Sequence, residues 1–177
     1  PLAETWAVAP DGRVAIVRTP EYRVEWVALG GARTLGPVNP APAVPVKDAE
    51  KREYLAEAAN SGLSVQVSNE NGRVSMQFSR GRSDREAEDD QIASIEWPTA
   101  KPVVTGVNMV GPDGRLWVER SVPAGAARYY DVFNGVGVRV GRVTLPAGRR
   151  LIAVGSRGLY LRQVDADGIN YLERYDP

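Results

Sequence analysis

Two stretches of this chain carry the same turn between the same kinds of residues, and that repeat constrains the fold more than any other feature. Trp6-Ala-Val-Ala-Pro10-Asp11-Gly12-Arg13 leads into Val14-Ala-Ile-Val17, and Val107-Asn-Met-Val-Gly-Pro112-Asp113-Gly114-Arg115 leads into Leu116-Trp-Val118. Proline presets the first turn dihedral and glycine accepts positive φ, so each stretch reads as a tight reversal between two antiparallel strands.

The similarity continues past the turns. Tyr22-Arg-Val-Glu-Trp26-Val27, a Gly30-Gly31 turn and Arg33 to Val38 follow the first reversal; Tyr130-Asp-Val-Phe133, a turn around Gly135 and Gly137 and Val138 to Leu145 follow the second. Within Tyr22 to Val27, Tyr22, Val24 and Trp26 fall on one face and Arg23 and Glu25 on the other, the period of two that a strand requires. Each copy supplies about four short strands in meander order, the make-up of one propeller blade. Leu151 to Val154, Leu159 to Arg162 and Tyr171 to Tyr175 add a third, partial copy of about three strands. The expected fold is therefore all-β, a partial β-propeller of about two and a half four-stranded antiparallel blades. Its first blade spans residues 1–40 and the second and partial third span 103–177.

Residues 41–102 read as an insertion between the copies. A Pro-rich linker opens it. Lys47 to Gly62 then predicts one short helix of two to three turns, with Asp48 as the cap, Tyr54, Leu55 and Ala58 on one face, and Asn60 to Gly62 as the stop. Asn71-Gly72, flanked by the alternating Val65-Gln-Val67 and Val74-Ser-Met76-Gln-Phe78, predicts a β-hairpin. Arg80 to Gln91, with Glu86, Glu88, Asp89 and Asp90 clustered, reads as a mobile, solvated acidic loop.

Composition excludes several kinds of chemistry. The chain of 177 residues has 22 Lys and Arg against 22 Asp and Glu, so no global basic field draws it onto nucleic acid or an anionic membrane. It has no Cys, which removes thiolate nucleophiles and sulfur-ligated metals, and no His, which removes the usual general base and imidazole metal ligand. No apolar run approaches the roughly 18 residues of a membrane span. The absence of an initiator Met gives the expectation of a processed or truncated product.

The Trp6 to Arg13 start, Asp113-Gly-Arg-Leu-Trp-Val-Glu-Arg120, Tyr130-Asp-Val-Phe133, Gly141-Arg-Val-Thr-Leu-Pro-Ala-Gly-Arg-Arg-Leu151 and Tyr171-Leu-Glu-Arg-Tyr175 together resemble the C-terminal region of uncharacterised bacterial six-bladed β-propeller proteins. The resemblance covers residues 4–38 and 102–176, and the insertion more loosely. It implies an architecture and a periplasmic or otherwise extracytoplasmic location. It transfers no catalytic residue, since fold does not carry function.

Candidate sites are few. Asp165-Ala-Asp167-Gly168 has the opening of a calcium loop, but Asn170 and Glu173 are out of register with an EF-hand, so a hairpin turn is the reading. Gly135-Val-Gly137-Val-Arg-Val-Gly141 lacks the dinucleotide spacing and a following helix. The acids at 86–90 face a large ordering cost as a metal site on a loop. Glu119 and Asp131 are the strand-borne carboxylates to check for paired-acid catalysis, with pairing to Arg the plainer role. The aromatic residues Trp6, Trp26, Tyr54, Trp97, Trp117, Tyr129 and Tyr130 are the candidate interface residues, because Trp and Tyr dominate interfaces, and the alternative is burial between blades.

The functional expectation is a non-catalytic scaffold or interaction subunit, without cofactor or metal, whose partners are other protein subunits. Its setting would be an accessory position in a larger complex, with peripheral association with a membrane complex among the possibilities. The alternative is a ligand-binding or enzymatic six-bladed propeller whose site lies largely in blades outside this chain.

Overall fold

The computed structural model describes residues 4–60, 64–70, 73–79, 85–165 and 168–176. Strands make up 44% of it and helices 12%, so the class is all-β with helical additions. In chain order the elements are β1 (Thr5–Val8), β2 (Val14–Arg18), β3 (Arg23–Val27) and β4 (Arg33–Leu35), then α1 (Asp48–Asn60), β5 (Ser64–Glu70), β6 (Arg73–Ser79) and α2 (Arg85–Ser94). They continue with β7 (Val104–Val110), β8 (Leu116–Arg120), β9 (Tyr129–Phe133), β10 (Arg139–Thr144), β11 (Arg149–Gly155), β12 (Gly158–Val164) and β13 (Asn170–Tyr175). Two compact units result: Pro1–Val44 with Ala100–Pro177, and Pro45–Thr99.

The larger unit holds three antiparallel meanders, β1-β2-β3-β4, β7-β8-β9-β10 and β11-β12-β13. Its two Pro-Asp-Gly turns are built identically. Gly12 and Gly114 take φ of 84° and 74°, Gly12 N–H donates to Ala9 and Gly114 N–H to Gly111, both at 2.9 Å. Asp11 and Asp113 each accept from the N–H two residues on at 3.1 Å. This is a type I turn closed by a left-handed residue, which joins neighbouring strands without splaying them.

The middle sheet is covered on both faces. Every residue of β8 is buried, and so is all of β9 after Tyr129. Leu116, Val118 and Phe133 join Ala7, Ala15, Val17, Val24 and Trp26 of the first sheet in one core. On the opposite face Trp117, Tyr130 and Val132 join Leu151 and Leu161 of the third sheet in another. Burying each such aliphatic side chain stabilises the fold by about 1.5–3 kcal/mol, and this is what stacks the sheets. The leading strands lie side by side, β1 beside β7 and β7 beside β11.

Tyr22, Val24 and Trp26 all face the core. Glu25, on the other face, is nonetheless buried, because Arg18 and Arg33 close over its carboxylate. Tyr22 has φ of 39°, the one positive value outside glycine among the described residues. A bulky side chain in that region is strained, and the strain persists because its surroundings over-determine it.

The smaller unit differs from the sequence expectation in two places. Asp48 was expected to cap α1, yet Lys47 occupies that place: its carbonyl accepts from Lys51 N–H at 3.1 Å and its N–H donates to Glu50 at 3.0 Å. Glu50 thus performs the reciprocal half of a capping box, while Asp48 sits one residue inside and pairs with Lys51. Helix α1 runs for 13 residues, beyond the two to three turns expected. The second correction is larger, for residues read as a solvated loop form α2, Arg85–Ser94. Glu, Ala and Gln are strong helix formers, and acids near the start of a helix oppose its positive end, so the same charges that suggest a loop also suit a first turn. Strands β5 and β6 pair from Ser64↔Ser79 to Glu70↔Arg73; the expected Asn71-Gly72 turn lies outside the described residues.

Candidate functional site

Asp131 and Glu119, the acids singled out for paired-carboxylate chemistry, are both fully buried on adjacent strands and engaged by cations. Asp131 accepts from the Tyr22 hydroxyl at 2.6 Å, from Arg120 at 3.0 Å and from Arg142 at 2.9 Å, with Arg139 at 3.7 Å. Burial pushes its carboxyl up, but the hydrogen bonds from Arg142, Tyr22 and Arg120 outweigh that and hold it below the usual carboxylate range. Glu119 accepts from Thr105 and Arg128, both at 2.9 Å.

Register places them on opposite faces. Val118 pairs with Asp131 and Glu119 with Tyr130, so Asp131 points toward the first sheet and Glu119 toward the third. Two carboxylates on either side of one sheet cannot flank a common substrate bond, which paired-acid hydrolysis requires. Both acids are instead paired with arginines, Arg120 buried inside the stack and Arg128 and Arg142 partly exposed. Arg120 lies over the Tyr22 ring with 4.0 Å to its centroid, and Tyr22 meets Phe133 edge-on.

The seven aromatic candidates divide by environment. Trp26, Trp117 and Tyr130 are buried between sheets, the alternative to an interface role that the sequence left open for them. The alternation in β3, β8 and β9 turns them inward: Trp26 donates to the Asn134 carbonyl at 3.0 Å and carries Arg13 at 4.7 Å. Tyr129 is half-buried beneath Arg142. In the smaller unit Tyr54 is exposed and meets Trp97 edge-on at 5.6 Å, while Trp97 donates to the Ile92 carbonyl at 2.8 Å. Trp6 is 67% exposed.

Trp6 belongs to a surface. Across the outer face of the first sheet, register aligns Trp6, Ile16, Glu25 and Leu35 in one row and Val8, Val14, Val27 and Arg33 in the next. Six of these eight are apolar. Glu25 and Arg33 neutralise each other at 2.9 Å, Arg18 bridges Glu25 and Glu4, and Trp6, Val8 and Leu35 are at least half exposed. The outer face is thus an apolar sheet surface with its charges already paired.

The chain matches no protein-family model and no curated protein. Among the described residues no group of three or more acids is placed to hold a metal. Asp165 spends its carboxylate on its own turn, accepting from Ile169 N–H at 2.9 Å, and residues 166 and 167 lie outside the described set. Gly135 to Gly141 covers a hairpin turn and the start of β10, with Asn134 accepting from Val136 and Val138 N–H.

Sequence reasoning named Trp6 but missed Val8, Ile16 and Leu35, although the alternation Thr5-Trp6-Ala7-Val8 carries the signal. It missed Tyr22 and Arg120 as partners of Asp131, for which no local signal exists.

Proposed function

We propose that this chain is a non-catalytic scaffold or protein–protein interaction subunit, with its larger unit a segment of a propeller-type stack of sheets. The observation that carries the reading is the outer face of the first sheet. Its inner face packs against the second sheet through the same kinds of residues, Ala7, Val17, Val24 and Trp26, that the outer face offers in Trp6, Val8, Val14, Ile16 and Leu35. An apolar sheet face of this composition suits another sheet, from a partner subunit or a neighbouring blade. The adjacent leading strands and the meander order agree with propeller stacking. The engagement of both buried acids by arginine leaves neither carboxylate free for paired-acid chemistry. The extracytoplasmic setting rests on the resemblance of the repeats.

Site-directed photo-crosslinking tests this reading. A crosslinking side chain at Trp6, expressed in the native host, is expected to capture one stoichiometric protein, and the same group on the exposed Pro112-Asp113 turn is expected to capture none. Equal labelling at both positions, or turnover of a small substrate that survives Trp6→Ser, would refute the interaction reading.

A further inference from the structure

The opposite end of the larger unit has different chemistry. On the third sheet, Arg150 of β11 stands directly across from Arg162 of β12, and Leu172 of β13 completes that row. The next row aligns Ala153, Tyr160 and Arg174. Facing residues of an antiparallel pair have Cβ atoms about 4.5–5.5 Å apart, and like charges so placed destabilise the sheet.

The contrast with the inward face of the same strands is informative. Arg149, adjacent to Arg150 but on the other face, is held by Glu173 through two hydrogen bonds at 3.1 Å. Arg150 and Arg162 have no carboxylate partner among the described residues. Among the described residues Arg174 pairs with Asp176 at 3.2 Å, both side chains more than half exposed, where such a pair counts for little. The outward rows contain no acid, and Leu172, Ile152 and Val164 lie exposed among the arginines.

From this juxtaposition we infer that the outer face of the third sheet is a docking surface for an acidic protein segment that carries apolar side chains. Arginine forks pair bidentately with carboxylates, and their planar heads are more weakly hydrated than ammonium, which suits them to an interface. Carboxylates brought by a partner would relieve the repulsion between Arg150 and Arg162, while Leu172 and Ile152 supply apolar contact. The inference stands independently of the apolar face on the first sheet, and it gives the two ends different partners.

The test uses the full chain and a fluorescently labelled peptide of alternating glutamate and leucine, read by anisotropy at low salt. Binding is expected to weaken at least about tenfold in the double variant Arg150→Glu/Arg162→Glu. It should not change in Arg149→Ser, nor appear for a lysine-leucine peptide. Arg162→Ser should melt no lower than the parent protein, since it removes a like-charge contact; a purely structural arginine would lower the melting temperature. Unaltered peptide binding by the double variant overturns the inference. So does tighter binding, through the same arginines, of heparin or of phosphatidylserine vesicles, which would make the face a polyanion or lipid site.

Discussion

The hydroxyl of Tyr22, on the loop entering β3, donates to the carboxylate of Asp131 on β9 at 2.6 Å, 109 positions along the chain. This contact joins the first two sheets at the one residue whose backbone is strained outside glycine among those described. Tyr22→Phe keeps the ring and removes the donor, so it should cost about 1–3 kcal/mol. Asp131→Ala should cost more, about 3–5 kcal/mol, because it leaves Arg120 buried without its counter-charge. Denaturant unfolding of the two variants should rank them in that order.

Stability should fall at both ends of the pH scale. The folded Asp131 carboxyl lies below its ordinary value, so its contribution is full above the unfolded pKa of about 3.9 and is lost as pH falls through the folded value. Tyr22 and Tyr130 are pushed up, by burial first and then by Asp131 and Glu119 respectively. Their contribution is full below the unfolded phenol pKa of about 10 and is lost as pH rises toward the higher folded values. Unfolding free energy measured against pH should therefore show an acid limb that is shallower in Asp131→Asn and an alkaline limb that is shallower in Tyr22→Phe.

Gly36 and Gly137 allow the backbone after β4 to meet the β9–β10 turn. A Cβ on Gly36 would lie 2.1 Å from the Gly137 carbonyl oxygen, and one on Gly137 would lie 2.6 Å from that of Val24. Gly137 also has φ of 80°. Backbone cannot yield as a side chain can, so either alanine variant should lose more than about 2 kcal/mol. Gly141→Ala, with open space around it, should change stability little. Thermal melting of the three variants tests this.

Two tryptophans of the first sheet should behave oppositely. Trp26→Ala empties a core position and should cost about 3–5 kcal/mol, whereas Trp6→Ala, at an exposed site, should stay within about 0.5 kcal/mol. Acrylamide should quench Trp6 fluorescence readily in the free protein, and partner binding at the outer face should protect it.

The residues that set local structure were legible in the sequence. Pro-Asp-Gly announces its turns because its conformational limits belong to the residues themselves, and the alternation of β3 announces its two faces for the same reason. Helix α2 was not legible, since an acidic run fits both a solvated loop and a helical first turn, and no local term separates them. Nor was the N-cap at Lys47, where Glu50 rather than the capping side chain makes the bond. What only the tertiary structure decided is which face of each sheet is covered. Trp6 and Trp26 look alike in sequence, and the stacking of the first sheet on the second buries one and exposes the other. The same stacking delivers Tyr22 and Arg120 to Asp131 and leaves Arg150 and Arg162 without an acid among the described residues. Hydrogen bonds and charge pairs between distant strands depend on how the sheets pack, and that information is spread over the whole core rather than held at any one position.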